Sequence, residues 1–212
     1  MKNPVLQLMA NTLPYLLLTQ GKQRLSILIF HRVLAQRDFM RPNEPTTGEF
    51  EWMMRMLRDN FNPLSLVDAL EKLQSGTLPG RAVCVTFDDG YADNEQYALP
   101  VLKKYGIPAT VFVSTGFLNG GRMWNDSLIE AVRRWNGAVL DLQDINLGCY
   151  SIETESQREQ VAQGLLREIK HLPLEERSEL VNHVVSQVEG LPGDLMMTDA
   201  QIQSLSRGGV AI

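Results

Sequence analysis

The chain has 212 residues, of which 44% are hydrophobic and 21% are charged, and its formal net charge is -5. This balance is typical of a soluble globular protein with a substantial core. It excludes a disordered chain, which would need a much lower apolar fraction. The negative charge argues against a general electrostatic attraction to nucleic acid or to an anionic membrane surface. A chain of this length forms one domain with room for a small appendage.

Residues 1–24 are predicted to form an amphipathic helical segment that covers part of the core. A helix that associates loosely with a membrane is the alternative interpretation. The apolar runs are short, Pro4 and Pro14 interrupt them, and no small-residue cleavage site follows, so neither a transmembrane helix nor a signal peptide is predicted. Cys84 and Cys149 lack any metal-site spacing and are interpreted as free thiols in a reducing compartment. These features favour a cytoplasmic protein.

Short apolar runs alternate with helical patterns over residues 25–123. Three such runs predict buried strands, at residues 25–30, 82–87 and 109–113. Hydrophobic residues at helical spacing predict helices that begin at Thr47, after Ser65 and near Glu95. Pro100 predicts a local kink or a late start in the last of these helices. Because the strands are apolar throughout and are separated by helices, the sequence predicts βαβ units and a parallel sheet.

The pattern changes after residue 123. Residues 124–195 are predicted to form a mainly helical insertion, with a mixed stretch near its middle that suits a small hairpin. Residues 196–212 are predicted to form a short helix and the start of a further strand. A parallel strand cut at that point would leave an open apolar edge, and so few strands cannot close a barrel. We therefore expect these 212 residues to be part of a longer domain.

Polar residues follow each of the predicted strands. His31 and Arg32 follow the first strand, Asp88 and Asp89 follow the second, and Ser114 begins the polar stretch after the third. In a parallel βα architecture the reactive side chains lie at the carboxyl ends of the strands. These three clusters are therefore the candidate site residues.

The adjacent carboxylates of Asp88 and Asp89 are the sharpest of these signals. Neighbouring like charges at the end of a buried strand repel each other, and a cation between them would relieve the repulsion. One carboxylate can then bind a divalent metal while the other accepts a proton from water. Gly90 would supply a backbone turn that a residue with a Cβ atom resists. The alternative is that both carboxylates only cap the following helix, and the spacing alone leaves both interpretations open.

Residues 86–90 read Thr-Phe-Asp-Asp-Gly, and residues 29–33 read Ile-Phe-His-Arg-Val. With the helix and strand at residues 99–112, they make the chain similar to the polysaccharide deacetylases of the NodB-homology type, carbohydrate esterase family 4. The resemblance covers about residues 25–125. It implies an α/β fold, an incomplete (β/α) barrel of the polysaccharide-deacetylase type with a helical insertion.

The resemblance also implies a reaction. Asp88 would be the general base, and Asp89 would bind a divalent metal, zinc if the remaining ligands are imidazoles. The substrate would be an N-acetylated amino-sugar glycan, which would lose acetate. The family completes its metal site with an H-[ST]-x-x-H pair, but the three histidines of this chain, His31, His171 and His183, include no such pair. The metal site is therefore expected to be incomplete, and residues 1–212 alone are expected to be inactive.

His31 and Trp124 are candidate substrate-binding residues, and each has an alternative interpretation. His31 would line the substrate or metal pocket, or would be an imidazole hydrogen-bonded to a carboxylate with no chemical role. Trp124 would form a wall that faces a sugar ring, or would pack in the fold while Asp126 caps a helix.

Three functions remain as hypotheses from the sequence. The leading one is a metal-dependent hydrolase that removes N-acetyl groups from a glycan. A magnesium-dependent phosphotransferase is disfavoured, because such enzymes typically carry Asp-x-Asp after the first strand of the sheet. A non-catalytic carbohydrate-binding remnant of the same fold is the alternative that the missing histidine pair keeps open.

Overall fold

The computed structural model of the chain describes residues 23–212. The helical segment predicted at the amino terminus therefore lies almost wholly outside the described residues. Contacts divide the described chain into two compact units. The first comprises residues 23–37, Asn43–Asn119 and Met196–Ile212, and the second comprises Asp38–Pro42 and Gly120–Leu195.

A parallel sheet forms the centre of the first unit. Its strands are β1 (Leu25–Phe30), β2 (Asn62–Pro63), β3 (Ala82–Phe87) and β4 (Ala109–Val111). Strand β3 is central: β1 pairs with its whole length on one side, while β2 and β4 pair with its beginning and its end. A parallel bridge between Thr110 and Ala211 extends the sheet beyond β4. The predicted parallel α/β architecture is confirmed, and no closed barrel is seen among residues 23–212.

The described residues of the first unit include four α-helices: α1 (Thr47–Asn60), α2 (Leu66–Gln74), α3 (Leu99–Tyr105) and α7 (Asp199–Arg207). A capping box between Thr46 and Glu49 begins α1, because each residue binds a backbone N–H that the first helical turn leaves unpaired. The late start predicted at Pro100 is confirmed. A π-helical turn precedes α3, with the Leu99 N–H donating to the carbonyl of Asn94.

Three aromatic rings lie in the core between the sheet and α1. The centroids of Phe30, Phe50 and Phe87 are 5.3 to 5.8 Å apart, and Phe30 and Phe50 meet edge to face. Such pairs add about 0.5–1.5 kcal/mol each beyond the burial of their surface. Phe30 and Phe87 are the last residues of β1 and β3, so this packing fixes the edge of the sheet from which the candidate site residues follow.

The second unit is helical with one hairpin. Its elements are α4 (Trp124–Arg134), β5 (Val139–Leu142), β6 (Gly148–Ser151), α5 (Glu155–Ile169) and α6 (Leu174–Ser186). Strands β5 and β6 are antiparallel, as expected for the mixed stretch between the predicted helices. A separate apolar core, with Leu128, Leu140 and Leu165 among its buried residues, holds these elements together.

A buried group of charges lies within the second unit. Arg41 donates hydrogen bonds to Asp126 at 2.9 Å and to Glu130 at 2.8 Å, and all three side chains are buried. In one of the two interpretations from the sequence, Asp126 caps its helix. Instead, residue Met123 occupies the cap position of α4 without a side-chain hydrogen bond, and Asp126 pairs with Arg41.

Both cysteines are free, as predicted, with Cys84 buried and Cys149 exposed. None of the helices between residues 23 and 212 combines the length and the apolar character that crossing a bilayer requires.

Candidate active site

The carboxyl ends of β1 and β3 bring three of the predicted site residues together. The two strands are parallel and end at paired residues, Phe30 and Phe87, so His31 and Asp88 follow at the same edge of the sheet. The Asp88 N–H donates to the carbonyl of Phe30 at 2.9 Å, which continues the pairing past the strands. His31 Nε2 lies 4.0 Å from Asp89 Oδ2.

The chain turns sharply at Asp89 and Gly90. Both residues have positive φ angles, 73° and 83°, and the Gly90 N–H donates to the carbonyl of Asp88 at 3.0 Å. A Cβ atom on Gly90 would lie 3.1 Å from Cγ1 of Val113, closer than ordinary van der Waals contact. The predicted need for glycine at this position is therefore confirmed by both backbone angle and space.

Of the two residues in this turn, Asp89 has the backbone conformation that is less usual for its residue type. Left-handed φ angles are uncommon for residues with a Cβ atom, although Asp and Asn adopt them more readily than most. Strained residues of this kind cluster at functional sites. The Ser114 N–H donates to the Asp89 carbonyl at 3.0 Å, so the residue is tied to the chain beyond β4.

Asp89→Gly is expected to raise the free energy of unfolding by about 0.5–1 kcal/mol, because relief of the left-handed backbone outweighs the entropy that glycine adds to the unfolded chain. Asn146→Gly is the matched control, since Asn146 has a φ angle of 60° and lies outside the site. Urea denaturation of both variants measures the change. A loss of stability on Asp89→Gly alone would show that the carboxylate serves the fold.

Water has access to the site side chains. The Asp89 side chain is 30% exposed and that of His31 is 50% exposed, while Asp88 is half-buried. Partial exposure weakens the repulsion between the neighbouring carboxylates, because solvent screens it. Solvent or a small ion can therefore reach both carboxylates.

Further residues, not selected from the sequence, hold the segments that follow β1 and β3 at the carboxyl-terminal edge of the sheet. Asp93 Oδ2 accepts a hydrogen bond from Arg32 Nε at 2.7 Å, and Asn94 Nδ2 donates to the carbonyl of His31 at 2.9 Å. The Arg32 N–H donates to Glu44 Oε2 at 3.3 Å. Burial raises the pKa of the Glu44 carboxyl, and the nearby His31 and Arg32 only partly oppose this. Asp93 and Asn94 follow the Asp-Asp-Gly turn closely in the sequence. This proximity is the signal by which the sequence could have indicated that they support the site.

Trp124 lies in the second unit, at the first residue of α4. The guanidinium of Arg177 lies 4.8 Å from the centroid of the Trp124 ring, a cation–π contact between α4 and α6. The assignment of Trp124 to substrate binding stays a prediction.

The described residues do not by themselves make a metal site. Asp89 and His31 are two donors, and among residues 23–212 no group of three or more His, Cys, Asp or Glu side chains is placed to hold an ion. A catalytic zinc ion usually has three protein ligands. His183 belongs to the second unit, where its Nε2 lies 2.9 Å from Asp144 Oδ2.

A family model described as polysaccharide deacetylase matches residues 75–138, which include Asp88 and Asp89. This segment belongs to the polysaccharide deacetylase family. The chain is also similar to the Bacillus subtilis (strain 168) protein YxkH, which is named as a polysaccharide deacetylase. The two are 39% identical over 97 residues, which are 45% of this chain and 33% of the relative.

A second relative of the chain is a poly-β-1,6-N-acetyl-D-glucosamine N-deacetylase of Staphylococcus aureus. The two are 34% identical over 84 residues, which are 39% of this chain and 29% of the relative. The chain thus spans about a third of the length of these relatives. Among solved structures, IcaB from Ammonifex degensii gives a TM-score of 0.41 at 20% identity, covering 89% of this chain and 98% of that one. The Streptococcus pyogenes deacetylase PplD gives 0.41 at 16% identity, covering 77% and 81%.

Proposed function

We propose that this chain is part of a hydrolase that removes N-acetyl groups from an N-acetylated amino-sugar glycan. The observation that carries the proposal is the adjacent pair Asp88 and Asp89 at the carboxyl end of β3, within the segment that matches the family model. The Staphylococcus aureus relative is named for removing acetyl groups from poly-β-1,6-N-acetyl-D-glucosamine, which supports the substrate class.

In this proposal Asp88 is the general base. Its carboxylate takes a proton from water as the water oxygen attacks the carbonyl carbon of the N-acetyl group. The C–N bond then breaks, the amine leaves with the proton that Asp88 has taken from water, and acetate is the second product. The hydrogen bonds from the Asp88 N–H to Phe30 and from the Gly90 N–H to Asp88 hold this residue in place.

Asp89 is proposed as one ligand of a divalent ion, zinc if imidazoles complete the site. Such an ion would polarise the acetyl carbonyl when bound. Its remaining ligands would have to come from outside the set of described residues, because two donors are too few. His31 is proposed to line the substrate side of this site, where its half-exposed imidazole is open to a ligand.

A non-catalytic, carbohydrate-binding protein of the same family is the second candidate. The lack of a third metal donor among residues 23–212 is the observation that favours it. The two candidates differ in what they do to a bound glycan, since only the hydrolase changes its acetylation.

Acetate release from N-acetylglucosamine oligomers in the presence of Zn²⁺ tests the proposal. Residues 1–212 alone are expected to release none, because they lack the histidine pair. A longer form of the protein that carries an H-[ST]-x-x-H pair after these residues is expected to release acetate and leave free amino groups on the sugar. If a folded, zinc-loaded longer form binds the oligomers without releasing acetate, the non-catalytic candidate is correct.

A further inference from the structure

The segment that follows β1 is attached to the turn that follows β3 by one buried side chain. Both carboxylate oxygens of Asp93 are used: Oδ2 accepts from Arg32 Nε at 2.7 Å, and Oδ1 accepts from the Val33 N–H at 3.2 Å. A single carboxylate therefore holds two successive residues of the first segment. Such a two-point contact fixes the position of the backbone as well as the direction of the Arg32 side chain.

The contact lies in a shielded environment. The Asp93 side chain is 5% exposed and that of Arg32 is 12% exposed, and the Arg32 guanidinium lies 4.6 Å from the centroid of the Tyr91 ring. Electrostatic interactions are stronger there than at the surface because less water screens them. Its neighbour Asn94 adds a third contact, from Nδ2 to the carbonyl of His31.

The side chain of His31 is held differently. It is half-exposed, and its contact with Asp89, at 4.0 Å, is longer than a hydrogen bond. The position of the imidazole therefore depends on the backbone of residues 31–33, and Asp93 and Asn94 hold that backbone from the same turn that carries Asp89.

We propose that Asp93 is a positioning residue, which holds the His31 imidazole beside the Asp89 carboxylate by binding Arg32 and Val33. The inference rests on the proposed function, because it assigns Asp93 to the support of that site. A purely structural Asp93 would stabilise the first unit without affecting the relation between His31 and Asp89.

The test measures directly how close the His31 imidazole lies to the Asp89 carboxylate, and it needs neither metal nor substrate. The chain has three histidines, so the ring signals of His31 can be assigned in an NMR spectrum with a His31→Gln variant. Removal of the neighbouring charge by Asp89→Asn is expected to shift the His31 ring signals in the wild-type background. In an Asp93→Asn background the same change is expected to produce less than half of that shift, because the imidazole is no longer held near residue 89.

Glu51→Gln provides the matched control background. Glu51 also pairs with a cation, since Lys104 Nζ lies 2.6 Å from its Oε1, but it lies on α1 outside the site. The full shift is expected to persist in this background. An undiminished shift in the Asp93→Asn background would overturn the proposal.

Asn94→Ala is a second variant for the case in which Asp93→Asn does not fold. It removes the hydrogen bond to the His31 carbonyl and keeps the pair between Asp93 and Arg32, so a smaller reduction of the shift is expected. An unchanged shift in this variant would also count against the proposal.

In a longer form that releases acetate, Asp93→Asn is expected to lower kcat/KM by about tenfold, since misplacement of His31 weakens the contacts that this residue is proposed to make with substrate. If that form releases no acetate while the NMR result holds, the proposed function fails and the positioning role stands. If acetate is released and the shift is undiminished, only the positioning role fails.

Discussion

Asp88→Asn is expected to lower the rate of acetate release by about 10²–10⁴-fold in a longer form of the protein that carries the histidine pair. The amide has nearly the shape of the carboxylate but does not accept a proton at neutral pH. The backbone hydrogen bonds of residue 88 do not involve its side chain, so the turn is expected to keep its structure. The measurement is kcat for N-acetylglucosamine oligomers, with thermal unfolding to confirm the fold.

Asp59→Asn is the control for this variant. Asp59 lies near the end of α1, where it is half-exposed and pairs with the adjacent Arg58. The same substitution there is expected to leave kcat unchanged. If Asp88→Asn retains full activity, Asp88 is not the general base.

Arg41→Ala is expected to lower the free energy of unfolding of the second unit by about 3–5 kcal/mol. Arg41 is buried, and its removal takes a guanidinium away from two buried carboxylates, those of Asp126 and Glu130. Burial by itself would lower the pKa of Arg41, but the two carboxylates outweigh it and raise that pKa, so they stabilise the charged form of the guanidinium. Tryptophan fluorescence during urea denaturation follows this unit in a Trp52→Phe background, because Trp52 lies on α1 of the first unit, whereas Trp124 and Trp135 both belong to the second.

Arg58→Ala is the matched control for a surface pair. Arg58 and Asp59 are each about half-exposed, so the substitution is expected to change stability by less than about 1 kcal/mol. A loss of similar size in both variants would contradict the account of the buried charges.

Acid unfolding offers a separate check on these charges. Burial would raise the pKa of Glu130, but hydrogen bonds and charges from Arg41, Arg133 and Arg134 outweigh it, so the pKa is lowered. A carboxylate with a lowered folded-state pKa contributes stability that is present above its unfolded pKa and is lost as the pH falls through the folded one. The second unit should therefore lose stability below about pH 4.3, the ordinary pKa of Glu.

Local patterns in the sequence predict much of the first unit. Apolar runs predicted strands at residues 25–30 and 82–87, and β1 and β3 have these bounds. The rule that reactive residues follow parallel strands brought His31, Asp88 and Asp89 to one edge, where the structure also places them. Strand β3 is buried along its whole length, as its unbroken apolar run predicts. The prediction that β1 is also buried is wrong, because Ile27 and Ile29 on one of its faces are exposed.

Features that depend on long-range contacts were beyond the sequence. Arg41 and its partner Asp126 are 85 residues apart, and a first-turn aspartate looks like a helix cap when its partner is unknown. Asp93 lies three residues after Gly90, but its role depends on Arg32, 61 residues away. The two-residue strand β2 contains Pro63 and has too few residues to show a period.

Zn²⁺ affinity of the Asp88→Asn and Asp89→Asn variants, compared by titration calorimetry in the longer form, tests most directly whether the two neighbouring acids have different roles. The account predicts that Asp88→Asn binds Zn²⁺ about as tightly as the wild type, while Asp89→Asn binds it at least about tenfold more weakly. Equal losses of affinity in both variants, or a loss only with Asp88→Asn, would contradict it.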